Sequence, residues 1–243
     1  MNRATKNTPF PNTEIADPRW KDLYYIGGIA SLLLAGLIAF AVIAYFIWPY
    51  TPGFASTEDI FAALQTDRLG ALFSLDVMML VTMPIDILLL TALYVALKRV
   101  NESYALIALV LGLISIALLI PTKPLAELVF LSKQYAAATT ETARSQYLAA
   151  GEALLTLAGG TAWINFSLFS NISFLLSSLL MLRSQNFGKA TAYIGIVNSI
   201  LSLGIIIPVF VIQAIFGLGT TLVGTLWLIL LARGFFRLAK EIR

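Results

Sequence analysis

Long apolar runs alternate with short polar segments along almost the whole chain. Six runs are long enough to cross a bilayer, at 23–48, 69–97, 104–121, 153–182, 190–214 and 218–232. A membrane-spanning helix needs about 20 mostly apolar residues. The pattern therefore predicts an all-α, polytopic membrane bundle of six transmembrane helices within residues 23–236, preceded by a polar segment at 1–22 and followed by a basic tail at 237–243.

The polar segments between the runs predict the connections. A short amphipathic helix is expected at 57–65, and a tight turn at 98–102. Residues 122–151 carry charges among many Ala and Thr, which predicts a helical extension outside the bilayer that turns near 138–141. The last two runs almost meet, and residues 216–220 at this junction contain two glycines, so a very short turn is predicted there.

The composition indicates that the chain lies in a membrane, and the distribution of charge indicates its orientation there. Hydrophobic residues make up 59% of the chain and charged residues 12%, whereas soluble domains are about 25% charged. With six spans, twelve of the 16 Lys and Arg residues lie on the side of the two termini. Arg68, Lys123, Lys133 and Arg144 lie on the other side. Because cytoplasmic loops are enriched in Lys and Arg, both termini are predicted to be cytoplasmic in a cell membrane.

The residue types that are missing exclude much chemistry. The chain has no Cys and no His, so disulfides, thiolate catalysis and His-ligated metals or haem are excluded. Met78, Met79 and Met83 are interpreted as packing residues, because methionine adapts to irregular gaps. The sequence therefore predicts no catalytic residue, cofactor or metal. Membrane lipids are the expected partners of the basic tail, with no nucleic acid, and a membrane-protein partner or a homo-oligomer remains open.

Two carboxylates interrupt the second run. Asp76 and Asp86 are ten residues apart and about 80° apart around a helix, and such groups normally face the bundle interior. A depth count puts Asn171 and Asn198 level with Asp86, and Asn165 lies nearby. These five residues form the candidate site for a ligand or an ion. The alternative is that the amides only hold helices together, at about 0.6 kcal/mol per contact.

Residues 61–120 also carry a resemblance. An amphipathic stretch leads to a helix with an early Asp, then to a tight Lys-Arg-x-Asn turn and an apolar third helix. This order resembles the bacterial multi-pass membrane proteins of domain-of-unknown-function family 4386. The likeness covers about 23–236, and Asp76 and Arg99 match it best. The resemblance implies six helices and a prokaryotic inner membrane, and it implies no activity.

Three classes of function are compatible with the sequence. The first is a protein that binds or moves a small molecule or an ion through a polar interhelical cavity, and this is the leading hypothesis. The second is a non-catalytic structural or accessory subunit of a membrane complex. The third is an intramembrane lipid-modifying enzyme, which the missing His and the lack of a clustered carboxylate pair disfavour.

Overall fold

The computed structural model describes residues 17–47, 55–204 and 210–241 and is all-α. The predicted segment 1–22 and the end of the first span thus fall partly outside the described residues. The helices are α1 (Lys21–Ile47), α2 (Thr57–Thr66), α3 (Arg68–Ser74), α4 (Val77–Leu97), α5 (Glu102–Leu119), α6 (Leu125–Ala137), α7 (Glu141–Ala158), α8 (Thr161–Arg183), α9 (Lys189–Leu203) and α10 (Phe210–Glu241). Short 3-10 turns occupy Pro18–Trp20 and Ile120–Thr122.

Six of these helices pack into a closed ring. In order, α1 packs on α4, α4 on α5, α5 on α8, α8 on α9, α9 on α10, and α10 again on α1. Small residues permit the close approaches, because a side chain on Gly27 would overlap Ala92, and one on Gly112 would overlap Leu90. Membrane helices generally use small residues at such contacts.

Within the described residues, five helical segments are long and apolar enough to cross a membrane. They are Pro18–Ala44, Val77–Leu97, Glu102–Ala137, Glu141–Arg183 and Ile215–Glu241. The sequence pattern predicts six spans, and the difference lies at the predicted span 190–214. There the described helix α9 has 15 residues, and residues 205–209 lie outside the described part of the chain. Large apolar side chains such as Ile43 and Leu222 point outward, as expected where lipid is the solvent.

The predicted second span, 69–97, is not one helix. Helix α3 ends at Ser74 and α4 begins at Val77, because Asp76 adopts a left-handed conformation with φ 62°. Asp visits this region more readily than apolar residues do. The backbone groups at the break stay paired, since Leu75 N donates to Ala71 O at 3.0 Å and Met79 N donates to Asp76 O at 2.9 Å.

The turn predicted at 216–220 is also wrong. Helix α10 continues through Gly217 and Gly219 from Phe210 to Glu241. Each glycine lowers helix stability by about 1 kcal/mol relative to alanine. Packing of α10 along both α1 and α9 outweighs that local preference, as tertiary burial commonly does.

Four helices form a cap at the end of the ring where α4 begins. Helices α2, α3, α6 and α7 share a second apolar core centred on Ile60, Phe61 and Leu128. The amphipathic helix predicted at 57–65 is confirmed as α2, and Ser56 and Asp59 cap its start reciprocally. Residues 122–151, predicted as a helical extension outside the bilayer, contain α6 and the first part of α7, with 138–140 between them.

The opposite end of the ring, where α4 ends and α9 begins, is here called the basic end. It is tightly packed. Leu93, Leu231 and Phe235 are fully buried there. Polar contacts tie the chain segments at this end together, because Asp17 pairs with Arg99 at 3.2 Å and Asn186 Nδ2 donates to Ala96 O at 2.8 Å. The ring is therefore filled at its basic end, and internal space lies toward the cap.

Candidate binding cavity

A cavity of about 280 Å³ lies inside the ring on the cap side of this core. Helices α1, α4, α8, α9 and α10 all contribute to its wall. Most of the lining is aliphatic or aromatic, and the polar side chains are few. The lining residues are Leu34, Leu37, Ile38, Ala41, Met78, Met79, Thr82, Asp86, Leu89, Phe174, Asn198, Thr220, Gly224, Trp227 and Leu228.

Asp86 supplies the carboxyl group of the cavity. It is half-buried on α4, and the hydroxyl of Thr82, one turn earlier, lies within hydrogen-bonding reach. That hydroxyl also donates to Met79 O at 3.0 Å. No Lys or Arg of the described chain lines this cavity. A carboxylate in such surroundings is costly unless a cation or proton accompanies it.

Asn198 supplies a second acceptor from α9. Its Oδ1 is buried, and no donor contacts it in the described part of the structure. The side chain lies beside Gly224 of α10, where a Cβ would come within 3.3 Å of Oδ1. An unsatisfied buried acceptor costs about 1–3 kcal/mol. Asn198 and Asp86 therefore line the cavity from two helices that are not neighbours in the ring.

Aromatic rings form the wall at α8 and α10. Trp227 is buried and meets Phe174 edge to face, with ring centroids 5.2 Å apart. Trp227 Nε1 and Ser178 Oγ are also buried without partners among the described residues. Both lie against Gly195 of α9. The indole N–H thus lies at the α8–α9 contact, and Trp227 is also one of the residues that line the cavity.

The other predicted amides do not join Asp86. Asn171 Nδ2 donates to Ser167 O of its own helix at 2.8 Å, and neither Asn171 nor Asn165 lines the cavity. Ser173, on the same helix as Asn165 and Asn171, donates to Ala108 O of α5 at 2.6 Å. This hydrogen bond joins two ring helices, as polar side chains in membrane helices often do.

Asp76 lies at the boundary between the ring and the cap, outside the cavity. Its carboxylate accepts from Lys123 Nζ at 2.8 Å, and the same ammonium lies 5.0 Å from the centre of the Trp163 ring. The Lys123 side chain is only 11% exposed. Lys123 and Glu127 are spaced i, i+4, which is typical of an exposed pair along a helix, but the ion pair of Lys123 is with Asp76.

The apolar half of the cavity was missed by sequence reasoning. Thr220, Gly224 and Trp227 are spaced i, i+4 and i+7, which places them on one face of α10. That spacing could have indicated a shared face. Because Thr220 was assigned to the predicted turn at 216–220, this shared face was not recognised.

No family model, curated protein or solved structure matches the chain. The apolar helices and the ring therefore carry the classification by themselves. They define a multi-pass helical membrane protein with an internal, mostly apolar cavity.

Proposed function

We propose that the chain binds a small apolar amine in the cavity between α1, α4, α8, α9 and α10. One observation carries the proposal: Asp86 and Asn198 line the same cavity, no Lys or Arg among the described residues lines it, and the buried Oδ1 of Asn198 has no donor among the described residues. A ligand with a protonated nitrogen would supply both charge and donors. Charge-assisted hydrogen bonds of this kind are the stronger ones.

The rest of the lining favours an organic ligand over a bare ion. A hard cation such as Ca²⁺ takes 6–8 oxygen ligands, whereas this wall is mostly carbon. Trp227 and Phe174 present aromatic surface, which attracts ammonium groups at close range. The volume of about 280 Å³ is near the lower limit of small-molecule pockets. An amine with a single ring is therefore the size of ligand that fits.

The membrane arrangement belongs to the same proposal. All six ring helices would span the bilayer, including α9, with both termini in the cytoplasm of a prokaryotic cell. The position of α9 between α8 and α10 supports six spans, and the excess of Lys and Arg at the basic end supports the orientation. A C-terminal reporter that is active only in the cytoplasm should be active. Membership of family 4386 stays a prediction, and it would add no activity.

Binding of 2-phenylethylamine to the purified, detergent-solubilised chain tests the ligand proposal. We expect saturable binding of the radiolabelled amine that Asp86→Asn weakens at least tenfold, equal to about 1.4 kcal/mol. An ion pair at about 4 Å and an effective dielectric constant near 20 gains about 4 kcal/mol before desolvation, so tenfold is a conservative bound. The neutral analogue 2-phenylethanol should bind more weakly to the wild-type chain and equally well to both chains.

Asp22→Asn is the matched control. It makes the same chemical change at an exposed position in the first turn of α1, and it should leave amine binding unchanged. Equal binding of the amine to wild type and Asp86→Asn would contradict the proposal. So would a wild-type chain that does not prefer the amine to the alcohol.

A further inference from the structure

A separate groove lies on the outer surface of the ring at the basic end, between α1, α9 and α10. Its volume is about 830 Å³. Its lining changes from apolar to charged along α10, from Ile229 and Leu230 to Arg233, Arg237 and Lys240. The geometry points to a binding site for an anionic phospholipid, with the phosphate at the basic residues and an acyl chain along the apolar part.

The positive charge of the groove is only partly used within the protein. Arg237 Nη2 donates to Asn186 O at 2.7 Å, and its Nε lies 3.6 Å from Glu241, the one carboxylate among the described lining residues. Arg237 therefore offsets Glu241. Within the described ranges, no hydrogen bond or ion pair involves Arg233 or Lys240. These two residues, seven positions apart on one helical face, leave two positive charges for an anion.

The start of α9 adds to the positive potential at the same place. Gly188, Ala190 and Thr191 line the groove, and no side chain of the described residues caps this helix terminus. Lys189 turns back to donate to Leu182 O, so it does not occupy the groove. Free N–H groups at a helix start favour a nearby anion. These N–H groups add to the positive potential of Arg233 and Lys240, and the assignment rests on those two side chains.

The apolar part of the groove distinguishes a lipid from a free anion. Leu32 and Ile229 are each 47% exposed and lie toward the middle of the ring helices. Phe236 forms the wall between these residues and the charges, held by edge contact with Tyr25 at 5.5 Å and by close packing on Gly28. Basic residues at the membrane surface above apolar residues at acyl depth match the order of groups in a phospholipid.

Lipid selectivity of the purified chain tests this assignment. Native mass spectrometry of the wild type should show at least one phosphatidylglycerol retained against an equal amount of phosphatidylcholine. The variant Arg233→Gln/Lys240→Gln should lose most of that preference, since each basic residue near the surface contributes roughly fivefold to anionic-lipid binding. A control with the same charge change at the same end, Lys21→Gln/Arg183→Gln, removes residues outside the groove and should keep the preference.

Two further measurements separate the possible outcomes. Leu32→Trp fills the apolar part and leaves the charges in place, so it should also reduce retention of phosphatidylglycerol. Inorganic phosphate in millimolar excess should not displace the lipid or raise the melting temperature as phosphatidylglycerol does. Equal losses in both double variants would overturn the assignment, because they would indicate general surface charge. Unchanged retention in Leu32→Trp, or an equal effect of free phosphate, would overturn the lipid part.

Discussion

Replacement of Gly195 by alanine tests how tightly α8, α9 and α10 meet beside the cavity. A Cβ at this position would lie 2.5 Å from Trp227 Nε1 and 3.0 Å from its Cε2, and it would overlap Ser178 Oγ. Both neighbours are buried, so neither can turn away into open space. Overpacking of this kind costs about 1–3 kcal/mol.

The helix itself would gain from the change. Alanine is more favourable than glycine in a helix by about 1 kcal/mol. Because both contacts of the new Cβ with Trp227 are too short and the indole is rigid, we place the cost of overpacking near its upper value. The net result is a loss of about 2 kcal/mol for Gly195→Ala, obtained from these two opposing effects.

Gly217→Ala provides the matched control. Gly217 is also helical, and a Cβ there would meet nothing within 4 Å. This variant should therefore gain about 1 kcal/mol. Thermal unfolding in detergent, followed by circular dichroism, should place Gly195→Ala below the wild type and Gly217→Ala above it. A Gly195→Ala chain as stable as the wild type would refute the packing argument, and a destabilised Gly217→Ala chain would contradict a continuous α10.

Three further predictions concern polar contacts. Asp76→Ala should be less stable than Asp76→Gly by about 1 kcal/mol in thermal unfolding, because both lose the ion pair with Lys123 and only alanine keeps the left-handed strain. Hydrogen bonds and ion pairing with two arginines hold the pKa of Asp17 well below its usual range. The ionised carboxylate therefore stabilises the fold fully above the unfolded-state pKa of about 3.9, and this stabilisation is lost as the pH falls below that value. Asp17→Asn should consequently flatten the fall in melting temperature on acidification below about pH 4. Ser173→Ala should lose about 0.6 kcal/mol, whereas Ser202→Ala, which removes only a bond within α9, should lose less in the same assay.

Apolar periodicity and turn chemistry predicted the helical class, the amphipathic α2 and most connections of the ring. These features depend on local residue patterns, so one sequence contains enough information about them. The break at Asp76 and the continuity of α10 through Gly217 depend on tertiary contacts instead. At both positions the local preference is weak, about 1–2 kcal/mol, and packing between distant segments decides the conformation.

The candidate site was predictable to a similar extent. Burial cost alone predicted that Asp86 faces inward, and a depth count brought Asn198 to the same level. The depth of a residue along a helix does not determine which way its side chain points around the helix axis. Asn171 lies at the predicted depth, but its amide donates to Ser167 O of its own helix and does not line the cavity. The aromatic wall of Trp227 and Phe174 could not be identified from polar residues, since apolar side chains look alike whether they face lipid, core or cavity.

The role of Asp86 can be decided by replacing it with leucine. If the carboxyl bridged helices, Asp86→Leu would leave its amide partners unpaired and lower stability by about 1–3 kcal/mol. Among the described residues, however, no hydrogen bond or ion pair joins Asp86 to another helix, and the hydroxyl of Thr82, on the same helix, donates to Met79 O. Replacing a poorly compensated buried charge by an apolar residue is often neutral or stabilising. We therefore expect Asp86→Leu to unfold at or above the wild-type temperature while losing the binding of 2-phenylethylamine. A clear fall in melting temperature would instead identify Asp86 as a structural link between helices.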